Sequence, residues 1–222
     1  MMKGSQLDLY LSLGYFRMHQ NLFTCRYLVF DDTVFPVHWL RFTLPTVNYG
    51  SKQRSLLRRN TTFSVDVKPF VLTQEIEALY AIYRNSVDFE APESVGFWLF
   101  NGERYAVFDT YAVEVRDESR LIAVGIFDNG EQSIAGIMNF YHPDYRRHSL
   151  GKYLMLQKIN HARLQQKLYY YPGYIVSNYP KFDYKLFPDE AASEVFDDNS
   201  GQWLPFSWET VNVLAADILD EL

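Results

Sequence analysis

The sequence predicts an α/β fold (α+β in layout), a mixed sheet flanked by helices, and three observations carry that prediction. Strand-like runs follow one another in the middle of the 222-residue chain: Tyr111 to Arg116 alternates, while Leu121 to Phe127 and Ser133 to Phe140 are continuous and apolar, as central strands are. A long helical pattern then runs from Leu150 to Gln166. An aromatic strand, Leu168 to Tyr174, comes after it. Strand, polar loop, helix, strand is the βαβ arrangement, whose helix N-terminus faces a site at the strand ends.

The other elements fall into place around this unit. Arg26 to Phe30 and Trp39 to Leu44 read as short strands separated by a turn at Asp31-Asp32. Ser51 suits the cap of a short basic helix over Gly50–Asn60. Phe63, Val65 and Val67 alternate with polar residues, the period of a half-buried strand. Thr73 caps a helix that buries Ile76, Leu79, Tyr80 and Tyr83, with Glu75 and Glu77 at its positive end. Arg84 to Gly102 is irregular or a small helix ending in Phe97-Trp98-Leu99-Phe100. Asp128-Asn129-Gly130-Glu131 carries the Asn-Gly pair of a hairpin connection. The long helix buries Leu150, Tyr153, Leu156, Ile159 and Ala162, and turns Lys158, Arg163 and Gln165 to its other side. Trp208 to Leu222 reads as an amphipathic terminal helix. The expected organisation is residues 1–70 as an N-terminal region, 71–187 as the core and 188–222 as a mobile acidic C-terminal extension.

Composition narrows the classes. Hydrophobic residues make up 48% and charged residues 22%, which is ordinary for a globular chain. No apolar stretch is long enough for a transmembrane helix, and the start M-M-K-G-S-Q-L-D has no apolar signal region. Cys25 is the only cysteine, which excludes an intramolecular disulfide and an all-cysteine metal site; a cytoplasmic protein is expected. A net charge of −6 speaks against indiscriminate nucleic-acid binding, yet charge is unevenly placed. Tyr145 to Phe182 holds seven basic residues and no acidic one, whereas Phe187 to Leu222 holds nine acidic residues and no Lys or Arg.

Candidate chemistry gathers in and near the basic stretch. Arg146-Arg147-His148-Ser149-Leu150-Gly151 approximates the R-x-x-G-x-G loop of acyl-CoA-dependent N-acyltransferases, or is an ordinary helix start capped by Ser149. His142, Asp144 and Tyr145 stand where a strand ends and a helix begins, as functional groups or as turn residues. His142 suits proton acceptance from an ammonium group and Asp144 suits orientation of an amine. Tyr169, Tyr170, Tyr171 and Tyr174 alternate across a strand, so half face the core and half a surface fit for stacking on a base. Lys52, Arg54, Arg58 and Arg59 form a solvated basic face or a phosphate-contact site. His19, His161 and Cys25 show no ligand spacing and read as structural or surface residues.

Taken in order, several segments resemble the aminoacyl-tRNA–protein transferases, the family of arginyl-tRNA–protein transferases and bacterial leucyltransferases. Gly14-Tyr15-Phe16-Arg17 resembles the family's G-[FWY]-x-R motif, and Ser51 to Arg54 with Arg58-Arg59-Asn60 its S-x-S-Q-R-R block. Leu121 to Gly125 resembles L-I-A-V-[AG], and Tyr141 to Gly151 resembles Y-D-P-D followed by S-L-G. Tyr170 to Tyr174 and Pro180 to Lys185 resemble Y-Y-L-G-Y and P-x-M-x-Y-K. The likeness runs from about Leu13 to Phe187. Here His142 replaces the first Asp of D-P-D, and the family's N-terminal cysteine cluster is missing, so no metal centre is expected.

The resemblance implies a fold similar to GNAT-type acyltransferases. It implies transfer of an aminoacyl group, Arg or Leu, from aminoacyl-tRNA to the N-terminal residue of an acceptor protein with an acidic N-terminus, marking it for degradation. The donor is a substrate, and no cofactor is implied. Asp144, His142 and Tyr145 are the expected catalytic residues. Tyr171, Tyr174, Lys185, Ser149 and Gly151 are expected to bind substrate, and Lys52, Gln53, Arg54, Arg58 and Arg59 to hold tRNA or acceptor. Two other readings stand beside this one: an acyl-CoA-dependent N-acyltransferase, and a non-catalytic relative that binds protein N-termini.

Overall fold

The computed structural model describes residues 2–221. The chain opens with α1 (Ser5–Ser12) and a short hairpin of β1 (Phe16–Met18) and β2 (Asn21–Phe23). A second hairpin joins β3 (Tyr27–Phe30) to β4 (Thr33–Thr43). Then come α2 (Ser51–Arg59), β5 (Ser64–Pro69), α3 (Gln74–Arg84) and α4 (Val95–Phe100). Three strands follow: β6 (Thr110–Asp117), β7 (Arg120–Asn129) and β8 (Ser133–Tyr141). A 3-10 segment, Pro143–His148, leads into α5 (Leu150–Leu164), then β9 (Tyr169–Val176) and a second 3-10 segment, Pro180–Leu186. The last elements are β10 (Ser193–Asp197), β11 (Gln202–Pro205) and α6 (Trp208–Asp220).

The main sheet runs β11-β10-β4-β9-β8-β7-β6-β5, with β3 added on β4. All its pairings are antiparallel except β8 with β9, the two strands that α5 connects. The expected mixed sheet flanked by helices is therefore present. α5 buries Leu150, Tyr153, Leu154, Met155, Leu156, Ile159 and Ala162 against one face, together with Phe42, Phe127 and Tyr170. On the other face Leu7 and Leu11 of α1 pack with Phe16, Trp39 and Tyr171. α3 and α4 cover β7 and β8 through Ile76, Tyr80, Leu99 and Phe140.

Local chemistry accounts for the helix ends. The Thr73 hydroxyl accepts from the Ile76 amide at 3.2 Å, and Ser207 does the same for Thr210 at 3.0 Å. Gly50 is the N-cap of α2, so Ser51 is its first residue and makes no cap bond. Gly14 of the G-Y-F-R motif has φ +78°, and a Cβ there would lie 2.6 Å from Phe196 Cε1. Only glycine satisfies both the left-handed turn and the close approach.

Three expectations are corrected. Asp128 and Asn129 belong to β7, so the hairpin turn starts after them, and Asp128 is wholly buried. Lys158 lies on the packed side of α5 and is 1% exposed. The acidic extension is built into the fold rather than left mobile: β10 pairs with β4, and α6 buries Val211 and Leu214 beside Leu40 and Ile175. No helix among the described residues is long and apolar enough to cross a membrane.

Candidate active site

The parallel pair β8–β9 is in register only at Ser133–Tyr169, Ile134–Tyr170 and Ala135–Tyr171. β8 continues to Tyr141 and β9 to Val176 without further partners between them, so the two strands part. β9 keeps pairing with β4, and β8 keeps pairing with β7. A cleft opens where the strands separate. The 3-10 segment Pro180–Leu186 folds back beside it, pinned by Lys185 Nζ donating to Tyr174 O at 2.7 Å.

The cleft has two chambers. The inner one, about 490 Å³, is walled by Phe16, Phe23, Leu28, Trp39, Trp98, Met138, Met155, Tyr170, Tyr174 and Phe182. Its charged lining is entirely cationic: Arg17, Lys158 and Lys185. The outer one, about 730 Å³, is walled by Tyr83, Phe89, Tyr141 and Tyr179, with Arg146, Lys152 and Lys181 against a single acid, Glu90. Asn139, Phe182 and Tyr184 border both chambers.

Each cation is held differently. Arg17 donates to Asp128 Oδ1 at 2.8 Å, to Thr110 at 2.9 Å and to the Leu99 carbonyl at 2.9 Å. Lys158 Nζ donates to Ile126 O at 2.7 Å and Met138 O at 3.2 Å, and burial lowers its pKa to about 7 against the nearby Asp128 charge, which raises it. Lys185 Nζ lies over the rings of Phe182 at 4.4 Å, Tyr174 at 4.9 Å and Tyr184 at 5.6 Å, and burial likewise lowers it to about 7. Burial also pushes the Cys25 thiol, another inner-chamber residue, up to about 11, so it is an unreactive thiol at neutral pH.

At the mouth, Ser149 adopts a left-handed conformation (φ 50°) and makes no side-chain cap on α5. Among the described residues no side chain caps the amides of the first helical turn, and that turn contributes Gly151 and Lys152 to the outer wall. α2 packs beside α5, with Gln53 donating to the Phe187 carbonyl, Arg59 to the Arg147 carbonyl at 3.2 Å, and Arg54 to the Tyr49 carbonyl. Lys52, Arg54, Arg58 and Arg59 are exposed there. Together with Arg146, Lys152 and Lys181 they extend the basic surface from the outer chamber onto α2.

Of the residues singled out in the sequence, Tyr174 and Lys185 line the inner chamber, and Ser149 and Gly151 the outer one. His142, Asp144 and Tyr145 line neither. His142 Nε2 accepts from Arg120 at 2.8 Å, and its Nδ1 faces the Asp144 carboxylate at 3.5 Å. Tyr145 donates to Asp117 at 2.7 Å. His142 and Tyr145 brace the β6–β7 turn, and Asp144 is exposed. The cause is strand alternation: Asn139 and Tyr141 face the cleft, so Phe140 and His142 face away. The same parity turns Tyr171 toward Phe16 and Trp203 and leaves Tyr170 in the inner chamber.

Sequence reasoning left out Arg17, Asn139 and Lys158. Arg17 was within reach as the last residue of the G-Y-F-R motif. Lys158 carried no signal, because its helical position is polar in type and buried only through tertiary packing.

Comparisons with known proteins add to this picture. A family model described as "Arginine-tRNA-protein transferase, C terminus" matches residues 70–188. An aspartate/glutamate leucyltransferase of Saccharophagus degradans is 30% identical over 172 residues, 75% of this chain and 70% of that protein. One from Pseudomonas syringae pv. tomato is 32% identical over 60% of this chain and 58% of its own length. Arginyl-tRNA--protein transferase 1 of Arabidopsis thaliana is 36% identical over 45% of this chain, but only 16% of that protein is covered. The chain thus spans less than two thirds of several relatives. Among solved structures, the C-terminal domain of a putative lysylphosphatidylglycerol synthetase from Agrobacterium fabrum superposes with a TM-score of 0.54 at 11% identity, over 83% of this chain and 66% of that one, and shares the fold.

Proposed function

The chain belongs to the arginine-tRNA–protein transferase family, and on that premise we propose that it transfers an aminoacyl group from aminoacyl-tRNA to the N-terminal α-amine of an acceptor protein. The observation that carries this reading is the split cleft. Its outer chamber joins aromatic faces to a cationic rim, the combination that holds a single-stranded nucleotide end. Its inner chamber is lined mainly by apolar and aromatic side chains.

The 3′-terminal nucleoside occupies the outer chamber, between Tyr83, Tyr141 and Tyr179. Arg146, Lys152 and Lys181 meet its phosphates, and Lys52, Arg54, Arg58 and Arg59 of α2 meet the acceptor stem behind it. The ester then lies at the junction formed by Asn139, Phe182 and Tyr184, within reach of the α5 first-turn amides around Gly151, which favour a developing oxyanion. The donated side chain enters the inner chamber. With no carboxylate in its lining, a guanidinium finds no partner there, so the favoured donor is leucine or a similar apolar amino acid. Lys185 pairs with the carboxylate of an acidic acceptor residue.

An aminoacyl ester is already activated, so alignment supplies most of the rate. No metal or redox group is needed for this step. The test is incubation with a mixture of charged tRNAs and peptides that differ in their first residue, read by mass. Leucine added to peptides beginning with Asp or Glu is the expected product. Saturable binding of acetyl-CoA with no aminoacyl product from any tRNA overturns the reading in favour of an acyl-CoA enzyme.

A further inference from the structure

Asn139 and Lys158 come from β8 and α5 and meet over Gly125 of β7. A Cβ built on Gly125 would lie 2.9 Å from Asn139 Oδ1 and 3.0 Å from Lys158 Cε. The two side chains therefore share one small space at the cleft floor, and the glycine makes room for both. The Asn139 Oδ1 is buried and has no hydrogen-bond partner among the described residues, while its Nδ2 makes only a long contact, 3.4 Å, to the Gly151 carbonyl. An unpaired acceptor at the junction of two chambers is an unfilled half of a hydrogen bond. Lys158 lines the inner chamber beside it, and its two carbonyl partners leave room for a third contact.

We propose that Asn139 and Lys158 form the amine-handling pair of the transfer centre, Asn139 Oδ1 accepting a hydrogen bond from the acceptor α-amine and Lys158 Nζ taking its proton. This rests on the transferase reading above. The acceptor arrives as an ammonium ion and gives one proton to neutral Lys158. Its nitrogen attacks the ester carbonyl carbon, the C–N bond forms and the C–O bond to the tRNA ribose breaks. Lys158 returns its proton to the departing ribose oxygen, then takes the second proton that nitrogen loses as the amide forms, and releases it to solvent. Burial holds Lys158 near neutrality, at about 7. The charge acting on it is Asp128 of β7, paired with Arg17 of β1; Arg17, Cys25, Tyr170, Tyr174, Tyr184 and Lys185 line the same chamber, and His161 follows on α5.

The experiment measures transfer to an Asp-initiated peptide from pH 5.5 to 9 for the wild type, Lys158→Met and Asn139→Leu, with binding of charged tRNA measured separately. The wild-type rate rises with a limb near pH 7. In Lys158→Met, kcat falls about 100-fold or more and the limb moves to the free α-amine range, about 8. Asn139→Leu lowers kcat about tenfold or more and keeps the limb near 7. Both variants bind charged tRNA as the wild type does. Wild-type transfer with an unchanged rate and limb in Lys158→Met overturns the pair alone. Absence of transfer by the wild type overturns the transferase reading and the pair with it. A variant that has lost tRNA binding as well points to a folding role and overturns the assignment for that residue.

Discussion

Arg17 Nη1 and Asp128 Oδ1 lie 2.8 Å apart, with side chains 3% and 0% exposed. The contact ties β1 to the C-terminal end of β7, and Arg17 itself lines the inner chamber. Thr110 adds a 2.7 Å hydrogen bond to the same oxygen, and Arg17 also donates to the Leu99 carbonyl. Removing either partner strands a buried charge. Asp128→Ala is therefore expected to destabilise the protein by about 3–5 kcal/mol, and replacement of both residues by apolar ones of similar size by clearly less than the sum of the two single changes. Urea unfolding of the two single variants and the double variant checks this.

Gly14 gives a second stability test. At φ +78° and with Phe196 Cε1 2.6 Å from the position of a Cβ, Gly14→Ala must shift both the turn and a buried ring. A loss of about 1–3 kcal/mol is expected. Wild-type stability in Gly14→Ala would mean that the α1–β1 turn relaxes freely.

These two residues also show what the sequence made legible. The order of elements from α3 to β9 follows from periodicity, capping and breakers, because those signals are local. The face on which each strand residue lands is not local. His142 and Tyr171 were each one position from a cleft residue, Tyr141 and Tyr170, and strand parity is set by the neighbouring strands. Asp128 read as turn chemistry because its partner, Arg17, is 111 residues away. Lys158 read as solvent-facing because lysine usually is. The segment after Phe187 read as a tail because its acidity outweighed the short apolar pair Val195-Phe196 of β10, the strand that pairs with β4.

The basic surface predicts salt-dependent binding. If Lys52, Arg54, Arg58 and Arg59 meet tRNA phosphates, replacing all four by Ala weakens binding of charged tRNA. It also lowers the slope of log affinity against log salt by about three. Titrations at several salt concentrations measure this. An unchanged slope removes α2 from the interface, and the outer chamber then carries the contacts alone.

Lys185 predicts how acceptor recognition changes with pH. Burial lowers its pKa to about 7, so the ammonium that attracts a carboxylate is present below pH 7 and is lost as pH rises through it. The KM for peptides beginning with Asp or Glu is therefore lowest below pH 7 and climbs above it, while peptides with a neutral first residue show no such climb. Lys185→Met removes the preference for acidic peptides, about 10- to 100-fold, as expected for a charge-assisted hydrogen bond. A preference that survives in Lys185→Met moves acceptor recognition to another cation.

Lys158 sets a stability test whose sign separates a functional lysine from a structural one. Its pKa falls from the ordinary 10.5 to about 7 because burial disfavours its charged form. Between those values the unfolded chain binds a proton that the folded chain does not, so wild-type stability rises with pH across that window. Lys158→Met deletes the penalty. At pH 7 the variant is expected to be more stable than the wild type by about 1–4 kcal/mol, the range seen when buried charges give way to well-packed apolar groups. Its stability should also rise less steeply with pH between 7 and 10. Urea unfolding at pH 7 and 9.5 measures both quantities. Loss of the contacts to the Ile126 and Met138 carbonyls works against this gain, and a net loss of stability in Lys158→Met assigns the lysine to those carbonyls. A gain in stability joined to a loss of transfer is the signature of a group retained at the expense of the fold.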